Sequence, residues 1–444
     1  MLKNIHEIRD PIHVFIKLDS TERKVLDSRP FQRLRYIRQL ATTYLLYPSA
    51  THTRFEHSLG VMELASRVFD VITNPENIHD TIRNLLPEMS NEDEKMYWRR
   101  VLRMAALCHD IGHLPFSHAS EEELLPSGWN HECFTRELIQ SEEMESIWRN
   151  LTPPLRSRDI VKLAVGPKGA RDFDFTDWET ILSETIVGDS FGADRMDYLL
   201  RDSYHTGVAY GKFDHYRLID TLRILPPPTS SNNEDIDISR EPSLGVEEGG
   251  LQSAEALLLA RYFMFTQVYL HRIRRIYDIH LRDFLCNWLP ANKFSTDLES
   301  HLSFTDNEVI TAIREVSRDS KHSGFKHAQR IVKRNHFKLL YTPAPEDIEK
   351  NPESAKNVYD KFVKEFGEEN VRFDCYKKGS GTADFPVLAM DGRVNSSLAL
   401  SDTLKHLPEV AIDYIFVDPN LLKNAKKWLK RNINDIIALK KEEL

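Results

Sequence analysis

"LCHDIGHLPFSH", Leu107 to His118, gathers three histidines and an aspartate into one short stretch. The residues before it, "VLRMAALC", repeat apolar side chains at helical spacing, so His109 and Asp110 project from the end of a helix with a buried face. Gly112 breaks that helix immediately afterwards. A buried imidazole and carboxylate need a partner, and a divalent cation supplies one. Histidines also cap helices with no chemistry attached, so the rest of the chain has to decide.

Two other segments bear on the question. "TRFEHSLGV", Thr53 to Val61, leads into an apolar-periodic helix and places His57 near its first turn; taken alone, His57 reads equally as a structural histidine. "ADRMDYLLRDSYHTG", Ala193 to Gly207, spaces Asp194, Tyr198 and Asp202 at i, i+4 and i+8, on one helical face, while Met196, Leu199 and Leu200 can pack inward. That face could also be merely solvated. Together the three segments offer His57, His109, Asp110 and Asp194, a mixed nitrogen and oxygen set that suits iron, manganese or zinc.

The surrounding pattern is helical from about Pro30 to Arg223, which predicts a mostly α helical bundle. Residues 226–250 have the proline, serine, glycine and acidic bias of a mobile loop. Helical periodicity returns over "LQSAEALLLARYFMFTQVYLHRIRRIYDIHLRDFL", where neither proline nor internal glycine interrupts a long helix. On it Arg261, Phe265 and Tyr269 recur at i, i+4 and i+8, either as a core stripe or as a cation and aromatic platform facing one cleft. After roughly Arg334 the strand-like pieces "HFKLLY", "FPVLAM" and "VAIDYIFVD" alternate with charged helical segments, so a core over residues 1–340 and a smaller α+β lobe over 341–444 are expected.

Composition narrows the class. With 41% apolar and 29% charged residues, the 444-residue chain is globular rather than disordered. The net charge of −9 argues against a broad nucleic-acid surface, so a polyanionic substrate would need a local basic pocket. No apolar run reaches the ~18 residues that span a bilayer, and the charged N-terminus does not read as a signal peptide. No membrane partner and a cytoplasmic location are therefore expected. Cys108, Cys133, Cys286 and Cys375 lack CxxC spacing and read as reduced, structural thiols.

His57, then the doublet His109-Asp110, then Asp194, resembles the H…HD…D metal signature of the HD-domain phosphohydrolases. The doublet alone is a weak signal. The strings "DPIH", "FQRLRYIRQL", "YPSATHTRFEHSLGV", "HDIGHLPFSH" and "ADRMDYLLRDSYHTG", in this order, are far more specific and resemble the deoxynucleoside triphosphate triphosphohydrolase branch. That branch includes vertebrate members that join a sterile alpha motif domain to the HD domain. With "DPIH" starting at Asp10, no such added domain is expected here. The likeness runs well over roughly residues 5 to 340 and loosely beyond.

The resemblance implies an HD-domain bundle that hydrolyses a dNTP, with Mg2+ on the nucleotide, into a deoxynucleoside and triphosphate by attack on the α-phosphorus. A divalent ion on the four ligands would lower the pKa of a bound water toward about 7. His113, His118, Glu121, His131 and Glu132 match catalytic-pocket positions. His118 is the expected general acid, with His113 and His131 on the α-phosphate, although these roles are exchangeable and "NHE" also reads as a capped helix start. Arg54, Arg195 and Arg261 match phosphate contacts, with arginine at 195 where vertebrate members have lysine. Tyr198, Asp202 and Gln39 match sugar contacts, and Tyr269 joins them in the substrate set; a tyrosine crowding the 2′ carbon would exclude a ribonucleotide.

Regulation is where the sequence departs from the pattern. Asp27, Gln32 and Arg35 match guanine-reading positions of a nucleotide activator site, and Arg217, Arg334 and Lys338 match contacts to its phosphates. His6 stands where the branch has lysine, and Glu247 and Gly249 replace an expected basic pair, so an activator should be held more weakly. A homo-oligomer, dimer or tetramer, is expected because such sites form between subunits. Two other functions fit the same residues: a phosphodiesterase or nucleotidase acting on another nucleotide, and a nucleotide-sensing partner subunit.

Overall fold

The computed structural model describes residues 5–121, 123–228, 241–377 and 384–438. The chain forms two compact units, 1–264 with 293–309 and 381–407, and 265–292 with 310–380 and 408–444.

The first unit is helical. Its central helix, Arg54–Ile72, starts where the Glu56 carboxylate accepts from the backbone N–H of Thr53 (2.8 Å) and from its hydroxyl, which fixes the first turn. Val61, Met62, Leu64, Ala65 and Val68 on it are fully buried, and each large apolar side chain contributes about 1.5–3 kcal/mol. Against it pack Glu92–Cys108, Ala193–Thr206 and Asp177–Val187. Asn91 caps Glu92–Cys108 by accepting from the N–H groups of Asp93 and Glu94, the helix is buried from Val101 onward, and it ends as expected at His109. Ala193–Thr206 ends at Gly207, whose φ of 76° is the left-handed cap that glycine adopts without strain.

An N-terminal antiparallel hairpin, Ile5–Asp10 with Val14–Asp19, brings "DPIH" into its turn. The unit also holds a four-stranded sheet in the order Leu222–Leu225, Ser243–Glu247, Pro386–Leu388, Val394–Ser396. This corrects the loop expected over 226–250: Ser243–Glu247 is a strand, antiparallel to Leu222–Leu225, with Leu244 and Val246 buried. Residues 229–240 of that loop lie outside the described residues.

The second unit is the α+β region. Its sheet runs Lys338–Tyr341, Ala411–Val417, Val371–Lys377, all antiparallel, and helices Ser354–Phe366 and Leu422–Ala438 close its core around Val358, Phe362, Ile415 and Ala425. The single long helix expected from Leu251 onward is two: Leu251–Met264 belongs to the first unit, then a π turn, Phe265–Tyr269, precedes Arg272–Trp288 in the second. His271 starts the new helix, its Nδ1 accepting from the Ile273 N–H at 3.2 Å. The wider π turn breaks the four-residue phase, so Arg261, Phe265 and Tyr269 do not form one straight stripe. Phe265 instead meets Tyr269 edge to face at 5.1 Å.

Candidate metal centre and surrounding pocket

His57 and His109 both aim Nε2 at the same point. His57 Nδ1 donates to Asp197 Oδ2 (2.8 Å), and His109 Nδ1 donates to the Ala106 carbonyl (2.8 Å), so Nε2 is the ring atom of each that could ligate a metal. His57 Nε2 lies 3.0 Å from Asp194 Oδ1 and 3.6 Å from Asp110 Oδ2; His109 Nε2 lies 3.4 Å from Asp110 Oδ1 and 3.6 Å from Asp194 Oδ1. Ligands about 2.0–2.2 Å from a transition metal stand roughly 3–3.6 Å from one another, so these separations fit a shared ion. His109 Nε2 is buried with no hydrogen-bond partner among the described residues, which a metal would supply. Burial works against the His57 charge, but Asp194 and Asp197 outweigh it and push the imidazole up to about 10.

The next ring of groups is built on Asp110 and Glu121. Arg54 donates to Asp110 Oδ2 and, through Nε, to Ser117 Oγ (2.7 Å). Burial opposes the Asp110 charge, but Arg54, His109 and His113 hold its carboxyl well below the ordinary range. The two oxygens of Glu121 clamp His113 Nδ1 (2.7 Å) and His131 Nδ1 (2.8 Å), and these two rings stack at 4.0 Å. Burial, then Arg54 and His131, push the His113 imidazole down to about 4. Burial works against the His131 charge too, but Glu121, Asp110 and Glu132 raise it above its ordinary value. Phe116 and Ser117 carry φ of 58° and 54°, left-handed values that cost non-glycine residues of order 1–3 kcal/mol each, and Asp306 secures them by accepting from the Phe116 N–H at 2.8 Å. His118 lies in the adjoining turn Ser117–Ser120, and its side chain is outside the described residues.

Of the other expected residues, Arg195 is buried, 3.4 Å from Asp189, with Nε and Nη1 unbonded among the described residues. Burial pushes the Tyr198 phenol up, and Arg195 and Arg261 beside it pull it back, so these three share one neighbourhood. Asp202 is buried and receives a hydrogen bond from His52 Nε2 at 2.7 Å. Gln39 is half-buried, its amide oxygen unbonded among the described residues, and Glu132 accepts from Asn130 at 3.3 Å. Tyr269 falls in the second unit.

The expected regulatory residues divide in the same way. Asp27, Gln32, Arg35 and Arg217 are in the first unit, Arg334 and Lys338 in the second. Gln32 accepts from Arg35 (2.9 Å), whose guanidinium covers the Phe55 ring, and Asp27 meets Arg23 at 3.3 Å. Arg217 donates to the Gly249 carbonyl, and Glu247 accepts from Arg223 at 2.6 Å. His6 bonds Ser20 and Arg23.

Sequence reading missed Asp197, Arg201, Asp10 and His13, a buried network behind His57. Burial opposes the Asp197 charge, yet Arg201, then His13 and His57, hold it well below the carboxylate range. The signal was present: Asp197 and Arg201 are a charged i, i+4 pair on the face that also carries Ala193 and Leu200. A further cluster, His280, Asp283 and His327, sits in the second unit. There the Phe337 N–H donates to His280 Nε2 (3.1 Å), so Nδ1 carries the proton, and Arg372 occupies Asp283 at 2.9 Å. That cluster is poorly suited to a cation.

Comparison with known proteins follows the same geography. An HD domain matches residues 54–168 and an HD associated region residues 213–370. The Methanocaldococcus jannaschii protein MJ1154 is 33% identical over 81% of this chain and 67% of its own length. The mouse deoxynucleoside triphosphate triphosphohydrolase SAMHD1 is 25% identical over 98% of this chain. The chain spans 54% of the Bacillus subtilis relative YwfO and 65% of mouse SAMHD1. A crystal structure of a hypothetical protein from Aquifex aeolicus, 34% identical, matches 96% of this chain and 100% of that one with a TM-score of 0.75. HD domains bind divalent metals, and the His57, His109 and Asp110 cluster lies inside the matched domain. The chain belongs to the HD-domain family, in the group that joins the HD domain to an HD associated region, and is related to the SAMHD1 triphosphohydrolases.

Proposed function

We propose that this protein is a metal-dependent triphosphohydrolase that cleaves dNTPs into a deoxynucleoside and triphosphate. The observation that carries the reading is Arg195: a buried guanidinium, beside the metal ligand Asp194, with two nitrogens unbonded among the described residues. In a chain of net charge −9, such a group is suited to a phosphate oxygen, which it binds through planar, charge-assisted hydrogen bonds. His57, His109, Asp110 and Asp194 would hold the ion, iron, manganese or zinc. When bound, it supplies a water that ionises near neutral pH and charge that offsets the phosphoryl oxygens.

The protein's own groups do the rest. Arg54 fixes Asp110 and, with Arg195 and Arg261, would supply the positive charge for a nucleotide and its Mg2+. Glu121 keeps the His113 and His131 rings parallel, so the α-phosphate would meet two stacked imidazoles at once. The proton for the departing 5′ oxygen comes from His131 or from His118, with Glu132 supporting His131 electrostatically. Tyr198 would crowd the 2′ carbon, while Asp202, oriented by His52, and Gln39 would take the sugar hydroxyl. The names of the SAMHD1 relatives support the same substrate class.

Product analysis of the metal-loaded protein with each dNTP, alone and in pairs, tests the reading. Deoxynucleoside and intact triphosphate are expected; release of pyrophosphate or orthophosphate, or hydrolysis confined to monophosphate or oligomeric nucleotides, would replace it with a nucleotidase or phosphodiesterase. The proton donor is identified by the alkaline limb of the pH–rate profile. His131 is charged below its raised pKa, so the rate should fall as pH climbs past it. His131→Gln removes that alkaline limb, and an unaltered limb in the variant gives the role to His118.

A further inference from the structure

Behind His57 lies a closed set of buried polar groups. Asp197 receives four hydrogen bonds: from His57 Nδ1 (2.8 Å), from His13 Nε2 (2.7 Å), and from Arg201 through Nε (2.8 Å) and Nη2 (3.0 Å). Arg201 spends its remaining nitrogen, Nη1, on Asp10 Oδ2 at 2.9 Å. The other oxygen of Asp10 accepts from the backbone N–H groups of Ile12 and His13, both at 2.8 Å, and so fixes the hairpin turn that presents His13. Asp10, His13, Asp197 and Arg201 are all buried. Space for Asp197 depends on Gly60, one turn beyond His57, because a Cβ there would come within 1.9 Å of Asp197 Oδ1.

An ionised carboxylate only accepts, so a ring nitrogen facing Asp197 must carry hydrogen. A neutral imidazole has one such nitrogen. With Nδ1–H committed to Asp197, Nε2, the atom 3.0 Å from Asp194, is the one that would give up its hydrogen and offer a lone pair to a metal. We infer that Asp197 is a positioning residue that locks His57 in the tautomer a metal requires, and that the Asp10–His13 turn is the part of the protein that keeps Asp197 in place. The N-terminal hairpin is thereby a support of the metal centre, although none of its residues is among the four proposed ligands. This inference rests on the four-ligand centre proposed above and is independent of the substrate.

The test uses the full chain, stripped of metal and titrated with Zn2+ against a competing chelator, with metal content measured on the same samples. Asp197→Asn should weaken Zn2+ binding roughly 10–100-fold, the range expected for loss of a partner behind a ligating histidine. His13→Gln should weaken it less, because Arg201 still holds Asp197. A purely structural role would not set the tautomer, so the second readout is the imidazole nitrogen spectrum of histidine-labelled wild-type protein with Zn2+, assigned by the signal lost in His57→Gln. It should show a long-lived Nδ1–H on His57. Finding hydrogen on Nε2, or unchanged Zn2+ affinity in folded Asp197→Asn, overturns the inference while leaving the centre intact. A wild-type protein that takes up no divalent ion overturns both. If Asp197→Asn does not fold, the wild-type spectrum decides.

Discussion

Asp110 is asked to satisfy several groups in a small space: Arg54 donates to one oxygen, His113 Nε2 lies 3.2 Å from the other, and both His57 and His109 approach. Asp110→Asn keeps the volume and removes the charge, so bound metal and hydrolysis should fall together while circular dichroism keeps its helical signal. Full metal occupancy and turnover in the variant would show that the ligand set is wrong. A second residue-scale expectation concerns His301, buried and stacked on Phe134 at 4.0 Å, with both ring nitrogens unbonded among the described residues. Burial, then Arg33 and His113, hold its imidazole well below the usual value. The folded protein therefore binds fewer protons than the unfolded chain once pH drops below ~6.5, the unfolded value. Its contribution to stability is complete above that pH and is lost as pH falls, by up to about 1.4 kcal/mol per pH unit. His301→Phe should flatten urea-unfolding stability between pH 7 and pH 5 by about 1–2 kcal/mol relative to wild type. Equal slopes in the two proteins would mean that His301 titrates in the folded state.

Elements were legible where one period dominated. The helices carrying His57, His109 and Asp194 showed in their apolar spacing, and the candidate cluster of His57, His109 and Asp110 was legible in the segments quoted from the sequence. The strand Ser243–Glu247 was hidden because its neighbours are proline-rich, acidic and polar, and its pairing partners come from residues 222–225 and 386–388. The π turn at Phe265–Tyr269 was hidden for the opposite reason: its residues are as apolar and unbroken as the helices on either side. Gly112 was read as a helix breaker, and its use is different. A Cβ there would lie 2.3 Å from the His131 carbonyl and the Thr135 nitrogen, so the glycine lets the HD turn rest on the backbone of helix His131–Ile139. Gly112→Ala must push that helix, and His131 with it, away from Glu121. A cost of about 1–3 kcal/mol in stability is expected, with a larger loss of hydrolysis than the stability change explains. Gly128→Ala is the comparison, since at φ 84° it is strained but meets nothing within 4 Å. Activity retained in both variants would detach His131 from the chemistry.

For the whole molecule, the open matter is control by a second nucleotide. If Asp27, Gln32 and Arg35 read a guanine, as the resemblance implies, the charge available for that nucleotide's phosphates would be low. Glu247 stands in place of a cation and is already paired with Arg223, so it adds no positive field, and Arg217 is directed to the Gly249 carbonyl. Arg334 and Lys338 lie in the second unit. Each charge-assisted phosphate contact is worth roughly 1.5–3 kcal/mol, and losing one weakens binding by about tenfold or more. GTP or dGTP should therefore activate poorly, or another nucleotide should take the role. The measurement is dATP hydrolysis at fixed substrate with GTP titrated from low micromolar concentration, alongside the mass of the oligomer. Restoring charge gives the matching gain: Glu247→Lys with Gly249→Lys should shift half-activation to lower GTP. Strong activation and tetramer assembly at low micromolar GTP in the wild-type protein would mean that other basic residues rebuild the phosphate contacts.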